Sequence, residues 1–227
     1  MSTTMRRFAL FISLFCFLSS ANGAPLKLNY SLFFGYMKTL YKLQYEQVTT
    51  AFFLVDKNSG NGCLIEQAEM VVDEKREAIA FTQAGRLLPF FSDEHRKDGA
   101  IIEVRLISGQ ENRQCDLQVT LMAKESQLEN LTHSKLALIS EQLQGVLNKN
   151  AGMIGKYFLP DFIGVRVQPV QPVSAAQRKV LAENIKVADN GDLLISNQFL
   201  QTDKGESLIN FQVQRITPWL ENNHQLH

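Results

Sequence analysis

Three neighbouring side chains, Asp93, Glu94 and His95, form the densest group of acid and base candidates in the chain. A histidine beside a carboxylate acts as a general base when it is buried and oriented, which is consistent with a hydrolase using His95 with Asp93 or Glu94. The alternative is a solvated helical turn whose two acids lie at its positive end. We favour the turn, because we identify no nucleophile and no second histidine close to the group in sequence.

Other chemistry-bearing patterns are sparse. His224 and His227 lie three positions apart in a polar tail and could carry a metal ion together, although a frayed terminus is the favoured interpretation. The G-x-S-x-G, H-E-x-x-H and C-x-x-C motifs and the glycine-rich phosphate loop are missing from the sequence. We therefore expect a protein that acts by binding, with no catalytic residues, no metal site and no cofactor.

Aromatic side chains crowd one short segment with helical spacing. They occupy more than one helix face, which is wider than a single buried stripe. Core packing is the favoured interpretation, because a small domain needs bulky groups there. The alternative is a groove for an apolar ligand or partner. The residues are Tyr30, Phe33, Phe34, Tyr36, Tyr41 and Tyr45.

The first 23 residues have the three parts of a secretory signal. Arg6 and Arg7 precede an apolar run over residues 8–18, and small residues follow it. The run is shorter than the roughly 20 residues that span a bilayer. We predict a signal peptide over residues 1–23, cleaved after Gly23 or Ala21, and export to the periplasm without a transmembrane anchor. An uncleaved N-terminal anchor is the alternative.

Two cysteines, Cys63 and Cys115, remain after this cleavage, because Cys16 lies within the signal. An even number of cysteines in an exported chain favours a disulfide between them. The alternatives are two buried free thiols and a two-cysteine metal site, but the close spacing typical of such metal sites is missing.

Composition argues against two other classes of protein. Hydrophobic residues make up 45% of the chain and charged residues 20%, which is not the composition of a disordered chain. The 23 basic and 23 acidic side chains balance, so the excess of positive charge that binds phosphates is missing and no nucleic-acid partner is expected. Removing residues 1–23 takes away two arginines and no acid, which leaves 21 basic and 23 acidic residues.

The apolar pattern predicts an α+β fold with antiparallel sheets and two amphipathic helices. The N-terminal helix covers residues 31–44 with Ser31 as its cap, and the central helix covers 135–149. A strand at 48–56, apolar at every position from 51 to 55, leads into a turn at 57–62 and a strand from Cys63. Ser92 caps a short helical turn that Gly99 ends. Strict alternation predicts half-buried strands, which lie at residues 102–106, 115–121 and 163–167.

Beyond residue 168 the pattern becomes weaker. Two prolines predict an extended connection, and the turn at residues 189–192 predicts a hairpin between strands at 185–187 and 193–195. A short helix at 175–184 and a final strand at 209–213 complete the prediction. These residues are too few for a comfortable independent core. We therefore divide the mature chain into a main domain, 24–168, and a linker with a C-terminal extension, 169–227, that docks on it.

Several scaffold positions within residues 26–168 carry a resemblance. They are Tyr30 to Phe34, Met37, Lys38, Phe53 to Asp56, Cys63, Leu88, Pro89, Gly99, Ala100 and Cys115. In these positions the chain resembles a family of exported proteins of gram-negative bacteria that is catalogued as a domain of unknown function. The resemblance implies a periplasmic destination and brings no activity or functional residues. The expected partner stays open between an envelope protein, a glycan and an apolar small molecule.

Overall fold

The structure is a computed structural model that describes residues 24–110, 113–155, 160–181, 185–202 and 207–221. Within these ranges the chain has the predicted α+β fold. The predicted signal peptide, residues 1–23, lies outside the described residues. The helices are α1 (Ser31–Leu43), α2 (Asp93–Lys97), α3 (His133–Gly155), α4 (Ala175–Val180) and α5 (Asn197–Leu200).

All strand pairs within the described ranges are antiparallel. The strands of the N-terminal half are β1 (Leu26–Asn29), β2 (Val48–Asp56), β3 (Ile65–Val72), β4 (Lys75–Ala78), β5 (Ala80–Phe81), β6 (Arg86–Leu88), β7 (Ile101–Leu106) and β8 (Cys115–Ala123). Those of the C-terminal half are β9 (Leu131–Thr132), β10 (Asp161–Pro169), β11 (Ile185–Val187), β12 (Leu193–Ser196), β13 (Ser207–Ile209) and β14 (Val213–Glu221). The first sheet has the order β1-β7-β3-β4, the second β5-β6-β2-β8 and the third β11-β12-β10-β14, while β13 and β9 form a two-stranded ribbon.

The first hydrophobic core contains side chains from the first two sheets and α1. Ile102 and Val104 alternate on β7 and are fully buried, as their period of two predicts. Phe52 and Leu54 contribute from β2, and Phe33 contributes from α1. Helix α1 therefore packs on the same core as the two sheets, which fixes the positions of its remaining faces.

A disulfide joins Cys63 and Cys115, which confirms the predicted pairing. Their Cα atoms are 6.4 Å apart, within the range that a disulfide spans. Cys63 precedes β3 of the first sheet, and Cys115 opens β8 of the second. The bridge therefore links the two sheets that enclose the first core.

The turn after β2 is held by the carboxylate of Asp56. Its Oδ1 atom accepts hydrogen bonds from the backbone N–H groups of Asn58 and Ser59 and from the Ser59 hydroxyl. The hydrogen bonds from Ser59 are the main reason why the pKa of Asp56 lies below its usual value. The chain reverses as predicted, but β3 begins at Ile65 and pairs with β4 and β7 rather than with β2.

The second hydrophobic core lies between α3 and the third sheet. Leu136, Ile139, Leu143 and Val146 form the predicted stripe of the central helix and are fully buried. Strand β10 pairs on one side with β12 and on the other with β14, so residues after 168 complete the sheet that β10 begins. The division into a main domain and a docked extension stays a prediction.

Two local predictions are wrong. Ser31 is the first residue of α1 rather than its cap; Tyr30 occupies the cap position, and the Asn29 side chain accepts the N–H of Ser31. The predicted strand at 209–213 is interrupted, because β13 ends at Ile209 and β14 begins at Val213 and continues through Pro218. Proline is tolerated there because β14 is an edge strand that needs hydrogen bonds on one side only.

Loss of the disulfide should lower the free energy of unfolding. The two cysteines are separated by 52 positions, and on the chain-entropy model closing a loop of that length contributes about 4 kcal/mol. Guanidinium unfolding of the protein with both cysteines replaced by serine measures this loss. Adding a reductant to the double variant should change nothing further, and an unfolding midpoint of the native protein that is unaffected by reduction would contradict the expectation.

Candidate functional site

A cleft of about 270 Å³ lies between α1 and the β2–β6 pair, and we call it the α1–β6 cleft. Its walls are apolar for the most part, because α1 and the two strands turn hydrophobic side chains toward each other at the edge of the first core. The lining consists of Met37, Leu40, Thr49, Thr50, Phe52, Arg86, Leu87, Leu88, Pro89 and Phe91. A concave apolar surface with a few polar groups is the usual form of a small-molecule site.

Helical spacing brings α1 to this position. Phe33 points into the first core and is fully buried, while Met37 and Leu40, four and seven positions later, continue the same face over the cleft. The helix ends at Leu43, and the next residue, Gln44, has a left-handed φ of 54° and donates its N–H to the carbonyl oxygen of Leu40. The helix terminus therefore fixes one end of the cleft wall.

A stack of aromatic rings borders the cleft. The ring of Phe91 lies between those of Phe34 and Tyr41, with centroids 4.9 Å apart on both sides and nearly parallel planes. The guanidinium of Arg96 lies 5.1 Å from the centroid of Phe34. Tyr41 is 63% exposed and Phe91 is 39% exposed, so the outer part of the stack faces solvent.

Both sequence interpretations of the aromatic segment therefore describe part of it. Tyr30, Phe33 and Phe34 belong to the first core, as the favoured interpretation predicts. Tyr36 and Tyr41 are exposed, and Tyr41 continues the apolar surface beside the cleft. Aromatic surface of this kind is more typical of a binding groove than of a core.

Two residues of the cleft lining each bury a polar side-chain atom that lacks a hydrogen-bond partner. The atoms are Oγ1 of Thr50 and Nε of Arg86, and within the described residues they are the only buried side-chain nitrogen or oxygen atoms in this condition. Leaving such an atom without a partner costs about 1 to 3 kcal/mol. The sequence analysis missed both residues. For Thr50, the signal in the sequence was its position on β2, two residues before Phe52 and therefore on the same, core-facing side of the strand.

The remaining part of the Arg86 guanidinium is anchored. Its Nη1 atom donates to Oε1 of Glu125 at 2.9 Å. The Arg86 side chain is 11% exposed, whereas that of Glu125 is 68% exposed, so the pair lies between the protein interior and solvent. Arg86 is the one charged residue of the cleft lining, but it pairs with Phe53 across β2 and β6, so its side chain lies on the face of the sheet opposite to that of Phe52.

The predicted acid and base group lies on the short helix α2, and its imidazole has contacts that the sequence did not indicate. Ser92 caps α2, as predicted, and its Oγ atom accepts the N–H of His95 at 3.2 Å. The same Oγ lies 2.7 Å from Nδ1 of His95, and Oε2 of Glu77 lies 3.5 Å from Nε2. Sequence reasoning missed both partners of the imidazole. It assigned Ser92 only as a helix cap, and Glu77 lies on a separate element, β4.

The predicted carboxylate partners of His95 have other roles. Asp93 forms ion pairs with Lys97 and Arg96, and hydrogen bonds from these two side chains lower its pKa. Glu94 lines a cavity of about 420 Å³ together with His95 and Glu77. Ser92 lies outside the lining of this cavity, so the hydroxyl nearest to the imidazole does not face the open space.

Tyr30 connects α1 to the segment that carries Phe91. Its hydroxyl donates to the carbonyl oxygen of Phe90 at 2.8 Å and accepts the N–H of Ser92 at 2.9 Å. Burial raises the pKa of this hydroxyl above its usual value. The two hydrogen bonds fix the 90–92 segment against α1 and thereby position the aromatic stack.

His224 and His227, the predicted alternative metal pair, lie outside the described residues. In the part of the chain that the structure describes, no three histidine, cysteine, aspartate or glutamate side chains gather in an arrangement suited to a metal ion. Among the helices of the described ranges, none has the length and apolar character needed to cross a bilayer.

Sheets joined by a disulfide, a helix packed on their core and an apolar cleft beside it define an α+β protein. The family model described as "Protein of unknown function (DUF2987)" matches residues 22–168, which is more than half of the chain. The chain belongs to this family. No curated protein and no solved structure shows significant similarity to it.

Replacing Tyr30 with phenylalanine should destabilise the protein. The substitution leaves the half-buried carbonyl of Phe90 and the N–H of Ser92 without their partner, which costs about 1 to 3 kcal/mol. Urea unfolding at pH 7 measures the loss, and Tyr41→Phe is the matched control, because Tyr41 is exposed and its change should be within about 0.5 kcal/mol.

The same pair of variants gives a pH test. Because the folded protein raises the pKa of Tyr30, its stabilisation is present below about pH 10 and is lost as the pH rises further. The stability difference between the native protein and Tyr30→Phe should therefore shrink above about pH 10. A difference that grows with alkaline pH would contradict the assignment.

Proposed function

We propose that this protein acts by binding a small apolar molecule in the α1–β6 cleft, without covalent chemistry. The observation that carries the proposal is the cleft itself, whose walls are formed mainly by apolar side chains of α1, β2 and residues 86–91. Of the partners left open by the sequence, an apolar small molecule suits a cleft of about 270 Å³ better than a glycan or a protein surface does.

We also propose that the protein works in the periplasm after removal of residues 1–23. Support comes from the three-part N-terminal segment and from the cysteine pair that forms a disulfide. Disulfides persist in oxidising compartments such as the periplasm and are rare in the cytosol.

The size of the cleft sets the size of the ligand and its affinity. At roughly 30 Å³ for each water-sized group, the cleft holds about nine non-hydrogen atoms. Burial of a methylene contributes about 0.8 kcal/mol, so an alkyl chain with about seven buried methylenes gains about 6 kcal/mol. This gain corresponds to a dissociation constant on the order of tens of micromolar at best.

The neutral alcohol 1-octanol is a suitable probe of the apolar part of the cleft. Calorimetric titration should give saturable binding to the native protein, and Leu88→Asp should weaken it at least tenfold, because a charge at the cleft wall opposes burial of an alkyl chain. Leu64→Asp is the matched control, because Leu64 is 37% exposed, as against 40% for Leu88, and lies outside the cleft.

Equal binding of 1-octanol to the Leu88→Asp and Leu64→Asp variants would show that 1-octanol does not bind in the α1–β6 cleft. An absence of saturable binding to the native protein would contradict the proposed function.

The arrangement of Ser92, His95 and Glu77 supports a second candidate, a hydrolase. The Ser92 oxygen would attack an ester carbonyl while its proton passes to Nδ1 of His95, and Glu77 would stabilise the resulting imidazolium. The imidazolium would give that proton to the departing alcohol as the ester C–O bond breaks, and water would then release the acid from the acyl-serine. We rank it second, because the Ser92 hydroxyl caps α2 and lies outside the cavity lining.

A fluorophosphonate probe, which labels activated serines, separates the two candidates. We expect no labelling of the native protein, because Ser92 serves as a helix cap. Labelling that disappears in both Ser92→Ala and His95→Ala would establish the hydrolase instead.

A further inference from the structure

We infer that the protein docks on the surface of an anionic phospholipid bilayer through an aromatic and basic surface beside the α1–β6 cleft, which we call the Tyr41 patch. The apolar part of the patch consists of Tyr41, Phe91 and Leu88, and its basic part consists of Lys38 and Lys42. The inference goes beyond the proposed function, because it concerns a surface and stands whether or not the cleft holds a ligand.

The apolar side chains of the Tyr41 patch adjoin one another. The ring of Phe91 stacks on that of Tyr41 with centroids 4.9 Å apart, and Phe91 and Leu88 both line the α1–β6 cleft. All three side chains are exposed. Exposed apolar side chains that adjoin one another and are bordered by charged groups are typical of protein or membrane interaction sites, whereas single ones are not.

Basic side chains lie beside these rings. Nζ of Lys38 lies 5.7 Å from the ring centroid of Phe34, which stacks on the other face of Phe91. Lys42 follows Lys38 by one helical turn, so both lysines lie on the same side of α1. Helix α1 contains no acidic residue, and in the described part of the chain neither lysine forms an ion pair. The patch therefore presents positive charge next to exposed aromatic rings.

The acidic residues near α2 do not cancel this charge. The carboxylate of Asp93 already forms ion pairs with Arg96 and Lys97. Glu94 and Asp98 line the cavity beside β4 instead. The two lysines of α1 are thus left to interact with an anionic partner.

The small area of the patch favours a bilayer over a protein partner. At about 200 Å² for a complete aromatic side chain, the exposed parts of Tyr41 and Phe91 amount to roughly 200 Å². A stable protein interface takes about 800 Å² from each partner. A second copy of the chain is also disfavoured, because a two-fold contact would gather the lysines of both copies around one small area. A bilayer needs only a few aromatic side chains at headgroup depth and basic side chains beside its anionic headgroups.

Docking through the Tyr41 patch also brings the cleft to the lipid boundary. Leu88 and Phe91 belong both to the patch and to the lining of the α1–β6 cleft. An apolar molecule dissolved in the bilayer then reaches the cleft over a short path that avoids bulk water.

The experiment is co-sedimentation of the full mature chain with sucrose-loaded vesicles at about 0.1 M salt. Vesicles of phosphatidylcholine with about one third phosphatidylglycerol should bind the protein at least tenfold more tightly than vesicles of phosphatidylcholine alone, because each basic side chain near an anionic surface contributes about a fivefold gain. Raising the salt to about 1 M should remove most of this difference, because it screens the charges.

Two variants test the two parts of the patch. The double variant Lys38→Gln with Lys42→Gln should weaken binding to the anionic vesicles at least tenfold. Tyr41→Ser should weaken it at least fivefold, because the exposed ring no longer enters the headgroup region. All three side chains are exposed, so the unfolding midpoints should stay close to that of the native protein.

Matched control variants change the same kinds of side chain elsewhere. Lys75→Gln with Lys149→Gln removes two exposed lysines, from β4 and α3, and so makes the same change in net charge. Leu138→Ser removes an exposed apolar side chain from α3. Both controls should bind the anionic vesicles within twofold of the native protein.

Equal binding to anionic and neutral vesicles, or patch variants that bind as their controls do, would overturn the inference. A dimer in sedimentation velocity that Tyr41→Ser abolishes would assign the patch to a second copy and overturn it as well. The proposed function is tested separately, because Lys38 and Lys42 lie outside the cleft lining. Their double variant should bind 1-octanol as the native protein does, even though it loses the vesicles.

Discussion

The long antiparallel pairing of β2 with β8 is the constraint on which the rest of the structure depends. Nine residue pairs, from Val48 with Ala123 to Asp56 with Cys115, hold the two strands in one register. The first residue of β2 belongs to the second core, and its central residues belong to the first core. Because successive side chains of a strand alternate between faces, this register also decides that Thr50 accompanies Phe52 toward α1.

The disulfide and the cleft are consequences of that register at opposite ends of the same ladder. At the Asp56 end, Cys115 meets Cys63, and the bridge joins the first sheet to the second. Toward the Val48 end, the strand buries the Thr50 hydroxyl, which lacks a hydrogen-bond partner in the described structure. The same strand supplies Phe52 and Thr50 to the lining of the α1–β6 cleft, so stability and proposed function meet on one strand.

Local sequence patterns predict where the helices and strands lie better than they predict which strands pair. The strand at 48–56, the helix from residue 31, the hairpin turn at 189–192 and the disulfide all follow from periodicity, turn residues or cysteine number. Strand β1 is not predicted, because its four residues alternate too briefly and gain their stability by pairing with β7, more than 70 positions away. Arg86 and Thr50 are missed for a related reason. An unsatisfied buried atom becomes visible only after every potential partner has been placed.

The most direct test of the central claim is the set of backbone amide NMR signals of Met37, Thr50 and Leu88, which line the cleft, during a titration with 1-octanol. The account predicts that these three resonances shift together and saturate at the same concentration as the calorimetric binding. Saturable shifts that leave these amides unchanged and appear instead around His95 would contradict it, and would place the ligand site beside Glu77.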